Sequence, residues 1–180
     1  MRIDIDKNLY LKTLDNNDVE IRFSVIDKNR AYLKKWLGWL DDIVKTDDLK
    51  SYTNMCIKKE RDNESYTFGI YYENAFVGII AIKDIDHSNN RAEIGYWLEE
   101  KSSGKGIMTR SCKAVLDYCF NELALNRVQI LVATENYQSQ AIPERLDFEK
   151  EGVLRHNECL YGKYIDNYIY SMLNPKWKME

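Results

Sequence analysis

The sequence predicts a mixed α/β protein, one sheet flanked by helices. Three observations carry that expectation. The first third has apolar residues at helical spacing. The middle has period-two runs rich in aromatic and β-branched residues. The last part alternates strand, helix, strand, helix and hairpin. With 180 residues, no repeat and no Gly/Ser linker, the chain reads as a single domain over its whole length.

Residues 8–14 alternate, with Leu9 and Leu11 on one face, and suit a first strand. The run Asp15-Asn16-Asn17-Asp18 supplies N-cap candidates. From 19 to 40, Phe23, Ile26, Leu33, Trp36, Leu37 and Leu40 recur near every third or fourth position, which fits two short helices. A further helix spans 46–62 through Leu49, Tyr52, Met55 and Cys56. Residues 65–72 and 76–82 form a hairpin turned at 73–75. A polar loop near 86–90 leads to a third strand at 91–98. Residues 99–106 turn into an amphipathic helix at 107–123. Its apolar stripe is Met108, Cys112, Val115, Leu116, Cys119, Phe120 and Leu123. A buried strand at 126–134, a short helix at 135–146, and a last hairpin of 148–160 with 163–173 complete the chain.

Composition excludes several classes. Hydrophobic residues make up 44% and charged residues 31%, which gives a foldable core and argues against disorder. No apolar run approaches the roughly 18–20 residues of a membrane span, and the first dozen residues lack the apolar centre of a signal peptide. The net charge of −3 makes nucleic acid a poor direct ligand. The four cysteines contain no CxxC pair, so no metal site is expected and the thiols are read as small core hydrophobes. Free thiols fit a cytoplasmic protein.

The sharpest local feature is Lys101-Ser102-Ser103-Gly104-Lys105-Gly106 opening a helix. Glycines admit positive φ, so successive N–H groups converge on one anion. The first helical N–H groups lack intrahelical partners, and the helix dipole is positive there. Lys101 and Lys105 add charge, and Thr109 a hydroxyl. A plain glycine turn before a helix is the alternative. The spacing fits neither a P-loop, since Glu99 and Gly106 stand at required Gly and Ser/Thr positions, nor a dinucleotide fingerprint, since Thr109 stands where the third glycine belongs.

This loop resembles motif A of the GNAT superfamily of acyl-CoA N-acyltransferases, (Gln/Arg)-x-x-Gly-x-(Gly/Ala), with Lys101 as a mild departure. The flanking segments strengthen the likeness: Ala92-Glu93-Ile94-Gly95-Tyr96-Trp97-Leu98, Asn126-Arg127-Val128, Asn136-Tyr137-Gln138-Ser139, Glu144-Arg145-Leu146-Asp147-Phe148 and Glu151-Gly152-Val153-Leu154-Arg155. Their order is similar to the Rim-type branch, named for N-terminal acetylation of ribosomal proteins, and covers about residues 8–173.

The resemblance implies a mostly antiparallel sheet split by a V-shaped opening between 91–98 and 126–134, with acetyl-CoA in the split as co-substrate and no metal. Its diphosphate would rest on N–H groups from Lys101 through Ser103, Gly104, Lys105 and Gly106 to Ile107. Its pantetheine arm would pair with the backbone of Tyr96, Trp97 and Leu98 like an added strand. A backbone N–H near Trp97 or Leu98 would stabilise the oxyanion. Asn136 stands where a side chain contacts the cofactor arm or the neighbouring loop.

For the chemistry, many relatives carry a proton-donating Tyr seven residues after that Asn; here the position is Pro143. Ser139 is then the nearest hydroxyl, either the acid for the leaving thiolate or an N-cap. Glu93 and Glu158 are the candidate bases, beside water. His156 is a candidate for orienting the acceptor, and Tyr96, Trp97, Trp36 and Trp39 for lining its tunnel or filling the core. The expected acceptor is a primary amine, first of all a protein N-terminus. An α-amine, with pKa about 7.7–8.0, is partly neutral already near pH 7–8. A polyamine acceptor and a silent acyl-CoA-binding module are the competing readings, and a homodimer is implied only by the relatives. Asp147 stands where relatives have Gly before Phe, at a helix exit that needs φ > 0; Asp tolerates that region better than most residues.

Overall fold

The structure is a computed structural model and describes residues 1–177. Eight strands form one sheet: β1 (Arg2–Asp4), β2 (Leu9–Thr13), β3 (Tyr66–Tyr72), β4 (Ala75–Asp86), β5 (Arg91–Leu98), β6 (Arg127–Ala133), β7 (Glu149–Leu160) and β8 (Lys163–Leu173). Their spatial order is β1-β2-β3-β4-β5-β6-β8-β7. Every neighbouring pair is antiparallel except β5 with β6. The helices are α1 (Val19–Lys28), α2 (Arg30–Leu33), α3 (Thr46–Arg61), α4 (Ile107–Asn121) and α5 (Tyr137–Arg145), with 3-10 turns at Gly38–Asp42 and Glu100–Ser102. The expected α/β architecture is therefore present. β1, too short to show a period, goes unread in the sequence, and β4 runs four residues beyond the anticipated 82, through a bulge near Asp84.

Period two on the strands sends alternate residues to two cores. One lies under α4 and α5 and takes Leu9, Leu11, Phe68, Ile80, Ile82, Ala92 and Ile94, with Cys112, Val115, Cys119 and Ile142 from the helices. The other lies under α1–α3 and takes Ile26, Leu33, Leu40 and Leu49 with Tyr71, Phe76, Ile79 and Trp97. Trp97 therefore points opposite to Ile94. Cys56, Cys112 and Cys119 are buried as anticipated, whereas Cys159 on β7 is exposed.

Two-residue turns close the hairpins. Glu73 and Asn74 (φ 51° and 64°) join β3 to β4, and Tyr161 and Gly162 (φ 50° and 81°) join β7 to β8. Positive φ at both central positions is the type I′ requirement that matches strand twist. Asp147 takes φ 60° at the end of α5, so the helix exit survives without glycine.

The feature that positions the site is a break in the sheet. β5 and β6 pair only at Arg91–Arg127, Ala92–Val128 and Glu93–Gln129. Beyond Glu93, β5 stays paired to β4 while β6 stays paired to β8, so the sheet divides into two halves with a V between them. Near the closed end, Arg127 donates to both carboxylate oxygens of Glu151 at 2.6 Å each, and the Ser171 hydroxyl donates to Glu151 at 2.6 Å. The Arg127 hydrogen bonds, then that of Ser171, hold the Glu151 carboxyl down at about 2. Because the folded value lies below the unfolded one, this contribution is fully present above about pH 4.5 and is lost as pH falls toward 2. Solvent screening makes it modest. Glu151→Gln is expected to flatten the acid limb of a urea-midpoint-versus-pH series between those values; a limb as steep as in the parent chain would mean other carboxylates dominate it.

Candidate active site

Beneath the open end of the V lies a cleft of about 500 Å³. One wall is β5 at Tyr96, Trp97 and Leu98, and the floor is the turn from Ser102 to Gly106 with the first turn of α4. The opposite wall is α5 with Asn136, Gln138, Ser139, Ile142 and Arg145. Tyr32, Leu33, Trp36 and Leu37, from α2 and the turn after it, cover one side.

The glycine turn has the conformation its sequence calls for. Gly104 and Gly106 take φ 78° and 69°, and a Cβ at either would meet nothing within 4 Å. Gly106 is the N-cap of α4, so that position supplies no side-chain cap to the helix. The N–H groups of Ile107, Met108 and Thr109 donate to no acceptor among the described residues. Below the turn, buried Glu99 accepts from the Ser102 hydroxyl at 2.7 Å and fixes the turn to the end of β5. Open space over positive-φ glycines beside uncapped helical amides is the geometry that suits an anion.

The strand wall is tight on its far side. A Cβ at Gly78 of β4 would lie 2.3 Å from the Trp97 carbonyl oxygen and 3.0 Å from the Leu98 Cα. Only glycine lets β4 approach β5 so closely there, which leaves the inner edge of β5 facing the V.

The helix wall resolves one open alternative. Asn136, not Ser139, is the N-cap of α5, and its side-chain oxygen accepts from the Ser139 N–H at 3.2 Å. The Ser139 side chain caps nothing. Its hydroxyl reaches the Tyr96 hydroxyl at 3.3 Å, and that hydroxyl in turn donates to the Ser139 carbonyl at 3.3 Å. Burial pushes the Tyr96 phenol far up, with Cys112 adding to it, so this tyrosine stays neutral across the working pH range.

Of the residues anticipated for the site, Tyr96, Trp97, Leu98, Ser103, Gly104, Gly106, Ile107, Thr109, Asn136 and Ser139 line the cleft. Four others do not. The exposed Lys101 side chain lies 3.5 Å from the Glu99 carboxylate, and the Lys105 ammonium sits over the Tyr72 ring. Glu93 forms an ion pair with Lys83 at 2.7 Å; Lys83 reaches it across Gly95, where a Cβ would meet the lysine at 2.8 Å. Glu158 is on β7 opposite Ile165. Among the described residues, no Asp or Glu lines the cleft. His156 lies outside it too, stacked on Tyr164.

The sequence reading missed Tyr32 and Gln138. The Tyr32 hydroxyl donates to the Gln138 side chain at 3.1 Å and lies 3.4 Å from the Ser103 hydroxyl, spanning the cleft. Its one sequence signal is the four-residue spacing to Trp36, which puts both aromatics on one helical face.

The family model described as acetyltransferase (GNAT) domain matches residues 8–149. YdaF of Bacillus subtilis, provisionally named a ribosomal N-acetyltransferase, is 33% identical, with 98% of this chain and 97% of that protein aligned. Among solved structures, RimL, a ribosomal L7/L12 α-N-protein acetyltransferase in complex with coenzyme A, superposes with a TM-score of 0.93 at 26% identity, covering 96% of this chain and 98% of RimL. The microcin C7 self-immunity acetyltransferase MccE, in complex with acetyl-CoA and AMP, superposes with a TM-score of 0.91 at 27% identity, covering 95% of each chain.

Proposed function

The chain belongs to the GNAT acetyltransferase family, on its Rim-type branch, and from that premise we propose that it transfers acetyl from acetyl-CoA to the N-terminal α-amine of a protein, a ribosomal protein first of all. The observation that carries the choice of amine is that, among the described residues, no carboxylate belongs to the cleft lining. A lysine or polyamine nitrogen, with pKa near 10.4 in the lysine case, needs a base to lose its proton. An α-amine near 7.7–8.0 is substantially neutral without one. Among the described residues, the charged members of the lining are Arg110, which is ion-paired with Asp6, and Arg145, so the lining offers no acidic partner to a polycation such as spermidine. This reading treats residues 1–180 as one working domain in the cytoplasm, where ribosomal proteins are made.

The residues fit acetyl-CoA by their own geometry, through uncapped amides at the α4 start and an unpaired strand edge. When bound, acetyl-CoA supplies an activated thioester. The amides from Gly104 to Thr109 hold its diphosphate. The inner edge of β5 aligns its arm and offers an N–H near Trp97 or Leu98 to the thioester carbonyl. As the N–C bond forms and the C–S bond breaks, the amine proton leaves to water. Ser139 gives its hydroxyl proton to the thiolate and recovers one from water. Glu93 and Glu158 have no place in this scheme.

Thiol release from acetyl-CoA tests the reading across free N-terminal peptides, Nα-acetylated lysine peptides and spermidine. Release is expected with free N-terminal peptides alone. Below about pH 7.7 the rate is expected to rise about tenfold per pH unit, then level off as the α-amine becomes neutral. Turnover of spermidine without peptide turnover would replace the acceptor; no turnover of any amine, with tight acetyl-CoA binding, would leave a silent binding module.

A further inference from the structure

Pro143 sits inside α5, where it lacks an N–H for the carbonyl four residues back, which is that of Ser139. That carbonyl therefore lacks the donor four residues on that a regular helix supplies. The Tyr96 hydroxyl, arriving from β5 across the V, fills the place at 3.3 Å and also receives the Ser139 hydroxyl at 3.3 Å. One phenol thus contacts both polar oxygens of a single serine. The Ser139 N–H is separately held by the Asn136 side chain at 3.2 Å. Both the backbone and the side chain of this serine are restrained, and each restraint comes from a residue that also lines the cleft.

We propose that Tyr96 is a positioning residue: through its paired contacts with Ser139 it fixes the rotamer of that hydroxyl toward the sulfur end of the cleft, and Pro143 makes the grip possible by vacating the Ser139 carbonyl. The inference rests on Ser139 being the proton donor. When Ser139 turns its proton to the thiolate, Tyr96 keeps its own proton and its bond to the Ser139 carbonyl, so the backbone anchor persists while the hydroxyl acts. A phenol held neutral by burial suits an anchor and not a second acid. The two contacts also tie β5 to α5 across the break in the sheet.

A double-mutant cycle with Tyr96→Phe and Ser139→Ala tests this, read by turnover and by urea unfolding of the free protein. Tyr96→Phe removes one oxygen and keeps the ring. It is expected to lower kcat about tenfold with KM for acetyl-CoA within about twofold, because a loosened group is misplaced but not removed. In the Ser139→Ala background the same change is expected to lower kcat no further. Without acetyl-CoA, the two urea-midpoint shifts are expected to be non-additive, since both changes break one contact. If Ser139→Ala slows turnover but Tyr96→Phe does not, the positioning role is wrong and the proton-donor reading stands. If both slow it independently, or if the midpoint shifts add, the grip does not operate. If Ser139→Ala leaves kcat unchanged, the proton-donor reading fails and the inference goes with it.

Discussion

Alanine at both Gly104 and Gly106 is expected to weaken acetyl-CoA binding by about 10²–10⁴-fold while the chain stays folded. Both residues occupy the left-handed region, at φ 78° and 69°, where a side chain introduces about 1–2 kcal/mol of strain per residue. Neither new Cβ meets a protein atom within 4 Å, so the strain is not compounded by a clash. The turn relieves it by rotating peptide planes, and the amides then cease to converge. Loss of two charge-assisted hydrogen bonds, each about 1.5–3 kcal/mol, accounts for the expected range at about 1.4 kcal/mol per tenfold. Calorimetric titration with acetyl-CoA measures it, and urea unfolding confirms the fold. An unaltered Kd in the folded double variant would mean that the diphosphate is held elsewhere.

Ser139→Ala is expected to lower kcat by about 10²-fold, the usual scale for a positioned acid, with acetyl-CoA affinity unchanged. The structural basis is that Ser139 is the third residue of α5 and not its cap. Had it been the cap, alanine would act mainly on stability, by about 1 kcal/mol. Because Asn136 supplies the capping oxygen, the substitution leaves the helix start intact and removes a hydroxyl that lines the cleft. Steady-state thiol release beside a urea melt separates the two. A stability loss with unchanged turnover would return Ser139 to a structural part.

Much of this was legible in the residues because the relevant physics is local. Two glycines before an apolar stripe announce a turn and an uncapped helix start, and the run 91–98 reads as a strand from its residues alone. What was not legible depends on register. Glu93 reads as a free carboxylate until β4 is laid beside β5 and brings Lys83 against it. Lys101 and Lys105 read as part of the anion seat, yet their side chains lie toward Glu99 and Tyr72, outside the cleft lining. Asn136 and Ser139 are both good capping residues, and only backbone angles decide between them. The link from Tyr96 to Ser139 joins residues 43 positions apart on different elements, and no periodicity reports it.

A sheet that parts in its middle has a margin on the inside. The stretch of β5 beyond Glu93 presents peptide groups that no neighbouring strand takes up, the same exposure that makes outer strands stick to other chains and seed fibrils. Here helices lie over both faces of the gap, α4 and α5 on one and α1–α3 on the other. The hazard of an unlaced strand is thus turned inward, beneath helices on either face.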